Sequence, residues 1–136
     1  MTTEIGFEVR LSQPYDKALE ITKEALMAEG FGVLTSIDVK ATMKEKLDVD
    51  FRPYSILGAC NPQLAHRLLT QEAAAGLLIP CNVTVEAEDE HTSTVRIANP
   101  QVILSVGSLE KNPEISAVAQ EARTMLERVA EALLST

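Results

Sequence analysis

The chain has 136 residues, with 12 Lys and Arg against 20 Asp and Glu, giving a formal charge of −8 and a pI near 4.7. That length suits one domain over residues 1–136, large enough to hold a core without disulfides or metals. An acidic chain without a basic patch repels phosphate, and only 4% of its residues are aromatic, so nucleic acid is not an expected partner.

No stretch approaches the roughly 20 apolar residues of a membrane span, so no membrane partner is expected. The opening Met1-Thr2-Thr3-Glu4-Ile5-Gly6-Phe7 has no positive region and no apolar run. It does not read as a secretory signal, and a cytoplasmic location is the default expectation. Two cysteines, Cys60 and Cys81, are too few for a disulfide framework and are expected to stay thiols in a reducing compartment.

In chain order, Ile5, Phe7, Val9 and Leu11 alternate with polar or small neighbours, the period of a half-buried strand. Pro14 suits the first position of a helix. Tyr15, Ala18, Leu19, Thr22, Ala25 and Leu26 then recur at helical spacing until Gly30 stops the run. Phe31 to Ile37 reads as a second strand with Phe31, Val33 and Ile37 on one face. Asp38 caps a short helix to Leu47 whose stripe is Val39, Met43 and Leu47. Arg52-Pro53 ends it, and Tyr54 to Cys60 suits a buried strand.

Three Asn-Pro pairs follow: Asn61-Pro62, Asn99-Pro100 and Asn112-Pro113. Each time Asn can accept from the free N–H groups of a new helix, and Pro pre-sets the next φ. The first and third read as helix starts. The second reads as a single turn or, over Val102 to Leu104, as strand. Cys81, Val83, Val85 and Ala87 alternate with Asn82, Thr84 and Glu86 in a clear strand. Glu88 to His91 makes a turn, and Thr94 to Ala98 returns as the hairpin partner. A long helix from Pro113 closes the chain, with Ile115, Val118, Ala122, Met125, Val129 and Leu133 as its stripe. The order β-α-β-α-β-α-β-β-α predicts an α+β two-layer sandwich, with helices packed on a mixed or antiparallel sheet.

The doubled Cys-Asn is the most unusual local feature. If Asn61 caps a helix, Cys60 sits just before the helix's positive end, where a thiolate is favoured. The competing reading is a small residue closing a tight turn. Cys81 shares the face of Val83 and Val85, so it reads as a buried, inert thiol. A strand-helix-strand crossover would make the two cysteine strands parallel and put the thiols at opposite ends. An antiparallel pairing would bring them together. Cys60, Cys81 and His66 are the candidate metal ligands, although no Cys-x-x-Cys spacing supports them. His66 also reads as a solvent-edge residue, and His91 as solvated in the acidic turn. Lys40, Lys44, Lys46 and Arg52 are balanced by nearby acids, with Lys44 or Arg52 as a candidate anion clamp. Neither GxGxxG, a Walker loop, GxSxG nor HExxH occurs.

Several segments, in this order, resemble the bacterial and archaeal domain-of-unknown-function family 302. They are Glu29-Gly30-Phe31-Gly32-Val33-Leu34-Thr35, Phe51-Arg52-Pro53-Tyr54, Gly58-Ala59-Cys60-Asn61-Pro62 and Gly76-Leu77-Leu78-Ile79-Pro80-Cys81-Asn82-Val83. The likeness runs from about Phe7 to the final helix. It implies a compact α+β domain that forms a homodimer, brings no activity or cofactor, and makes both Cys-Asn elements part of the family pattern. The expectation is a non-enzymatic module that self-associates and binds a small molecule or protein partner. The alternative is a thiol-redox or metal-binding protein centred on Cys60 with Cys81. The candidate ligand-binding or reactive-thiol residues are Cys60, Asn61, Cys81, Asn82 and Arg52.

Overall fold

The computed structural model describes residues 1–136. Strand β1 (Gly6–Leu11) leads to helix α1 (Tyr15–Ala28), strand β2 (Gly32–Asp38) and helix α2 (Val39–Leu47). Strand β3 (Tyr54–Cys60), helix α3 (Pro62–Gln71) and a 3-10 turn (Ala73–Leu77) follow. The hairpin of β4 (Cys81–Ala87) and β5 (Ser93–Ala98) precedes a one-turn helix α4 (Pro100–Ile103), a 3-10 turn (Val106–Lys111) and the 22-residue α5 (Pro113–Leu134). None of the helices is long and apolar enough to cross a membrane.

The termini of these elements follow from local chemistry. The side-chain oxygens of Asp38, Asn61, Asn99 and Asn112 each accept from a backbone N–H in the first turn they precede. Such a cap satisfies a donor that the helix leaves free. After α1, Gly30 takes φ +84°, a left-handed conformation that glycine adopts at no steric cost. Its N–H donates to Met27 O while Phe31 N–H donates to Leu26 O, which ends α1 and turns Phe31 inward. All three Asn-Pro pairs thus open helical turns, and Val102 lies in α4 rather than in a strand.

The five strands form one sheet in the order β1-β5-β4-β3-β2, every neighbouring pair antiparallel. Helices α1 and α5 pack on one face, and α3 packs against α5. That face presents Phe7, Val9, Leu11, Leu57, Ala59, Val83, Val85, Val95 and Ile97, all buried. From α5 the core receives Ile115, Val118, Ala119, Ala122, Leu126, Val129, Ala130 and Leu133. Each fully buried Leu or Val contributes about 1.5–3 kcal/mol relative to exposure. Tyr15 Oη and Ser55 Oγ hydrogen-bond between α1 and β3, which keeps a buried hydroxyl paired.

Four expectations need correction. The strands β3 and β4 are antiparallel, not parallel. The 3-10 turn and Leu78 to Pro80 bring the chain back to the sheet end it left, so no crossover forms. Second, Ile5 is exposed and lies outside β1. Third, Phe31, Val33 and Ile37 do not share a face. Val33 pairs with Ala59 and Thr35 with Gly58, so Leu34 is an extra residue. A bulge of this kind reverses the alternation, and Ile37 lies opposite Ile56, away from the helices. Fourth, the stripe of α2 is not buried, because this helix packs chiefly against β2 and β3 at the sheet margin. On α5, Met125 of the expected stripe is partly buried and packs against the core, and Leu126 beside it is fully buried.

The other sheet face carries an ion network. Glu86 on β4 is 5% exposed. Its Oε2 accepts from Arg52 Nε at 2.5 Å and its Oε1 from Arg96 Nη1. Arg96 Nε also donates to Glu8 on β1, at 3.2 Å. Arg52 lies 4.6 Å from the centroid of the Phe51 ring, a cation–π distance. Burial alone would raise the Glu86 pKa, but the hydrogen bonds and charges of Arg96 and Arg52 outweigh it and hold the carboxyl below its usual range. A carboxylate with a depressed folded pKa adds stability above its unfolded pKa and loses it as pH falls through the folded value. Glu86→Gln is therefore expected to lose about 1–3 kcal/mol at neutral pH, the value of a charge-assisted hydrogen bond. The deficit should shrink below pH of about 4, near the unfolded carboxyl pKa. Denaturant unfolding across that range checks it; a pH-independent deficit would contradict the assignment.

Candidate functional site

The residues Ala59-Cys60-Asn61 leave the sheet at the carboxyl end of β3. The register pairs Ala59 with Cys81 and Gly58 with Asn82, so the two Cys-Asn elements lie side by side. Gly58 permits this approach. A Cβ there would stand 2.2 Å from Thr35 Oγ1 and 2.8 Å from Pro80 Cγ, closer than atoms pack. Both cysteines line one cavity of about 40 Å3. Its other walls include Phe31, Leu64 and Leu68, with Leu104 and Val118 across from them. A water needs about 10–15 Å3 of such space, whereas drug-sized pockets run to about 300 Å3 or more. The space fits a small apolar group rather than a whole polar ligand.

The cysteines are both free and half-buried. Burial raises the Cys60 pKa, opposite to the expectation of a thiolate at the helix start. The cause is the apolar wall. Asn61 Oδ1 already accepts from Leu64 N–H at 3.2 Å, so the helix start has less to offer the sulfur. Burial first, and the neighbouring Cys60 second, push the Cys81 thiol up to about 11. The cavity thus favours neutral thiols.

The other candidates fall in different places. Asn61 is a helix cap, and its Nδ2 donates to Met125 Sδ at 3.8 Å. It positions the cavity rim against α5. Asn82 is exposed on the sheet face away from the helices. Arg52 lies beyond the opposite end of β3, a strand that spans roughly 20 Å from Tyr54 to Cys60 at about 3.3 Å per residue. Its Nε donates to Glu86, and it does not line the cavity of the two cysteines. Lys44 pairs with Asp48 and Asp50. His66 is exposed on α3. No group of three His, Cys, Asp or Glu side chains stands where it could share a metal ion, and His66 does not line the cavity of the two cysteines.

Sequence reasoning missed two things. One is the Glu86 network, whose signal was available: Glu86 and Arg96 stand on the polar faces of two strands already read as a hairpin. The other is that Phe31 and Leu104 complete the cavity, which no local pattern reveals.

The raised thiol pKa values give a direct expectation. At neutral pH both cysteines of the folded protein should alkylate more slowly than a small model thiol, Cys81 more slowly than Cys60. The rates should climb with pH until unfolding intervenes. Iodoacetamide labelling with peptide mass mapping measures this; a Cys60 that outpaces the model thiol would contradict the protonated assignment.

The crystal structure of an uncharacterized conserved protein DUF302 from Bacillus stearothermophilus is similar to this chain. The two share 27% sequence identity and a TM-score of 0.83, over 96% of this chain and 99% of that one. No curated protein matches the chain. The model of the family described as Domain of unknown function DUF302 matches residues 7–133. The resemblance read from the sequence therefore holds, and the chain belongs to the DUF302 family.

Proposed function

We propose that this domain is a non-enzymatic, self-associating module that holds a small apolar group of a ligand or partner in the cavity at the end of β3. The observation that carries this reading is the meeting of Cys60 and Cys81 on the wall of a mostly apolar space. Apolar pockets with a few placed polar groups are the usual form of small-molecule sites. Here Cys60 and Cys81 supply weak, polarizable donors, and the remaining walls supply dispersion contacts. Asn61 sets the position of the rim through its cap on α3. Neutral thiols suit such a role, since a charged wall would repel an apolar group. A reducing cytoplasm, which keeps both cysteines as thiols, is the compartment in which this reading works.

The same juxtaposition supports a second reading, a thiol-reactive or thiol-redox site centred on Cys60. It requires a thiolate, and the alkylation rates separate the two.

Xenon under pressure is a suitable probe for the first reading because it reports apolar space without polar contacts. Amide and methyl spectra should show saturable shifts centred on Cys60, Leu64, Cys81 and Val118. Filling the space with Cys60→Leu should abolish them while the rest of the spectrum stays intact. Shifts that are linear in xenon pressure, or that survive Cys60→Leu, would overturn the reading.

A further inference from the structure

The sheet has two edge strands, and they are treated differently. The outer side of β1 is covered by the chain's own start. Met1 donates through its amino group to Glu8 O at 2.8 Å, and Glu8 N–H donates to Met1 O at 2.7 Å. Thr2 bridges Phe7, and Thr3 and Gly6 exchange hydrogen bonds. Strand β1 also carries Glu8 and Arg10, charges that discourage pairing with another chain. Strand β2 has no such cover, and its one charge is Asp38 at its last position. It pairs with β3 on one side only. No backbone hydrogen bond outside that pairing involves Gly32 to Ile37. The run Gly32-Val33-Leu34-Thr35-Ser36-Ile37 has no charge and no Pro.

The flank of this edge is apolar and exposed. Leu34 is 68% exposed and Ile37 48%, with Leu47 at 64% on the last residue of α2 and Val49 at 44% just after it. Its charge is also distinctive. From Gly32 to Arg52, Lys40, Lys44, Lys46 and Arg52 are matched by Asp38, Glu45, Asp48 and Asp50. The formal charge of −8 lies wholly outside this segment. Two copies of an acidic protein repel each other, and a segment with no net charge adds nothing to that repulsion.

We propose that this face is the surface through which the domain self-associates, with β2 pairing antiparallel to β2 of a second copy about a twofold axis. Free strand N–H and C=O groups are matched best by another strand. An antiparallel self-pairing is isologous, each residue meeting the partner's copy of the residue that it faces. The inference rests on the self-association reading and adds the face. The bulge at Leu34 bends the strand, so the straight pairing run is Thr35 to Asp38. That run is four residues long, so the pairing is expected to be reversible.

Sedimentation of the full chain over a concentration series tests this. The wild type is expected to pass from monomer to dimer in the micromolar range. Leu34→Lys and Ile37→Lys, both on exposed side chains, should each weaken the dimer at least about tenfold with an unchanged circular dichroism spectrum. Ile5→Lys, at the covered edge, should leave it intact. A wild type that stays monomeric would overturn both the self-association reading and the face. A dimer that tolerates both lysines, or that only Ile5→Lys breaks, would overturn the face alone.

Discussion

The antiparallel register of β3 on β4 is the constraint on which the rest depends. Ala59 opposite Cys81 fixes where the chain leaves the sheet and where it returns. Leu57 opposite Val83 then fixes which side chains face α1 and α5, because a one-residue slip would send each to the other face. Gly58 is the residue that permits the register, since Thr35 and Pro80 occupy the space that a side chain would need. A single strand pairing thus sets the core, the cavity and the proximity of the two thiols.

The two faces of the sheet solve different problems. One is apolar and covered by helices, and burial against α5 supplies most of its stabilisation. The other is polar and holds a buried carboxylate between two arginines. A buried charge is tolerated only with such partners, and Glu86 has Arg52 from the entry to β3 and Arg96 from β5. Arg52 thereby has its Nε engaged by Glu86. Its commitment explains why the two ends of β3 differ: one end carries charge and structure, the other an apolar space with two protonated thiols.

Much of the fold was legible in the sequence. The first and third Asn-Pro pairs located helix starts because capping and a pre-set φ are local effects, while the second left turn and strand open. The segment Tyr54 to Cys60 and the stripe of α5 were legible because burial imposes a period. What failed was non-local. The parallel arrangement of β3 and β4 was inferred from the helix between them, but the 3-10 turn after α3 returns the chain to the same sheet end. The face of Ile37 was lost to a bulge that no spacing announces. For the site, Cys60, Asn61 and Cys81 were identified and do meet. Their electrostatics was read from helix position alone, while desolvation by Phe31, Leu64 and Val118 decides it. Arg52 and His66 were grouped with them by residue type, and the fold places them elsewhere.

Strand register brings Cys60 and Cys81 to one apolar space. Through-space proton contacts in a methyl-labelled sample test it most directly. The account predicts that the β-protons of both cysteines contact a shared set of cavity methyls, those of Leu64, Leu68 and Val118, together with a close Ala59–Cys81 cross-strand pair. Cysteine contacts falling on two separate sets of methyls, with no Ala59–Cys81 pair, would contradict it.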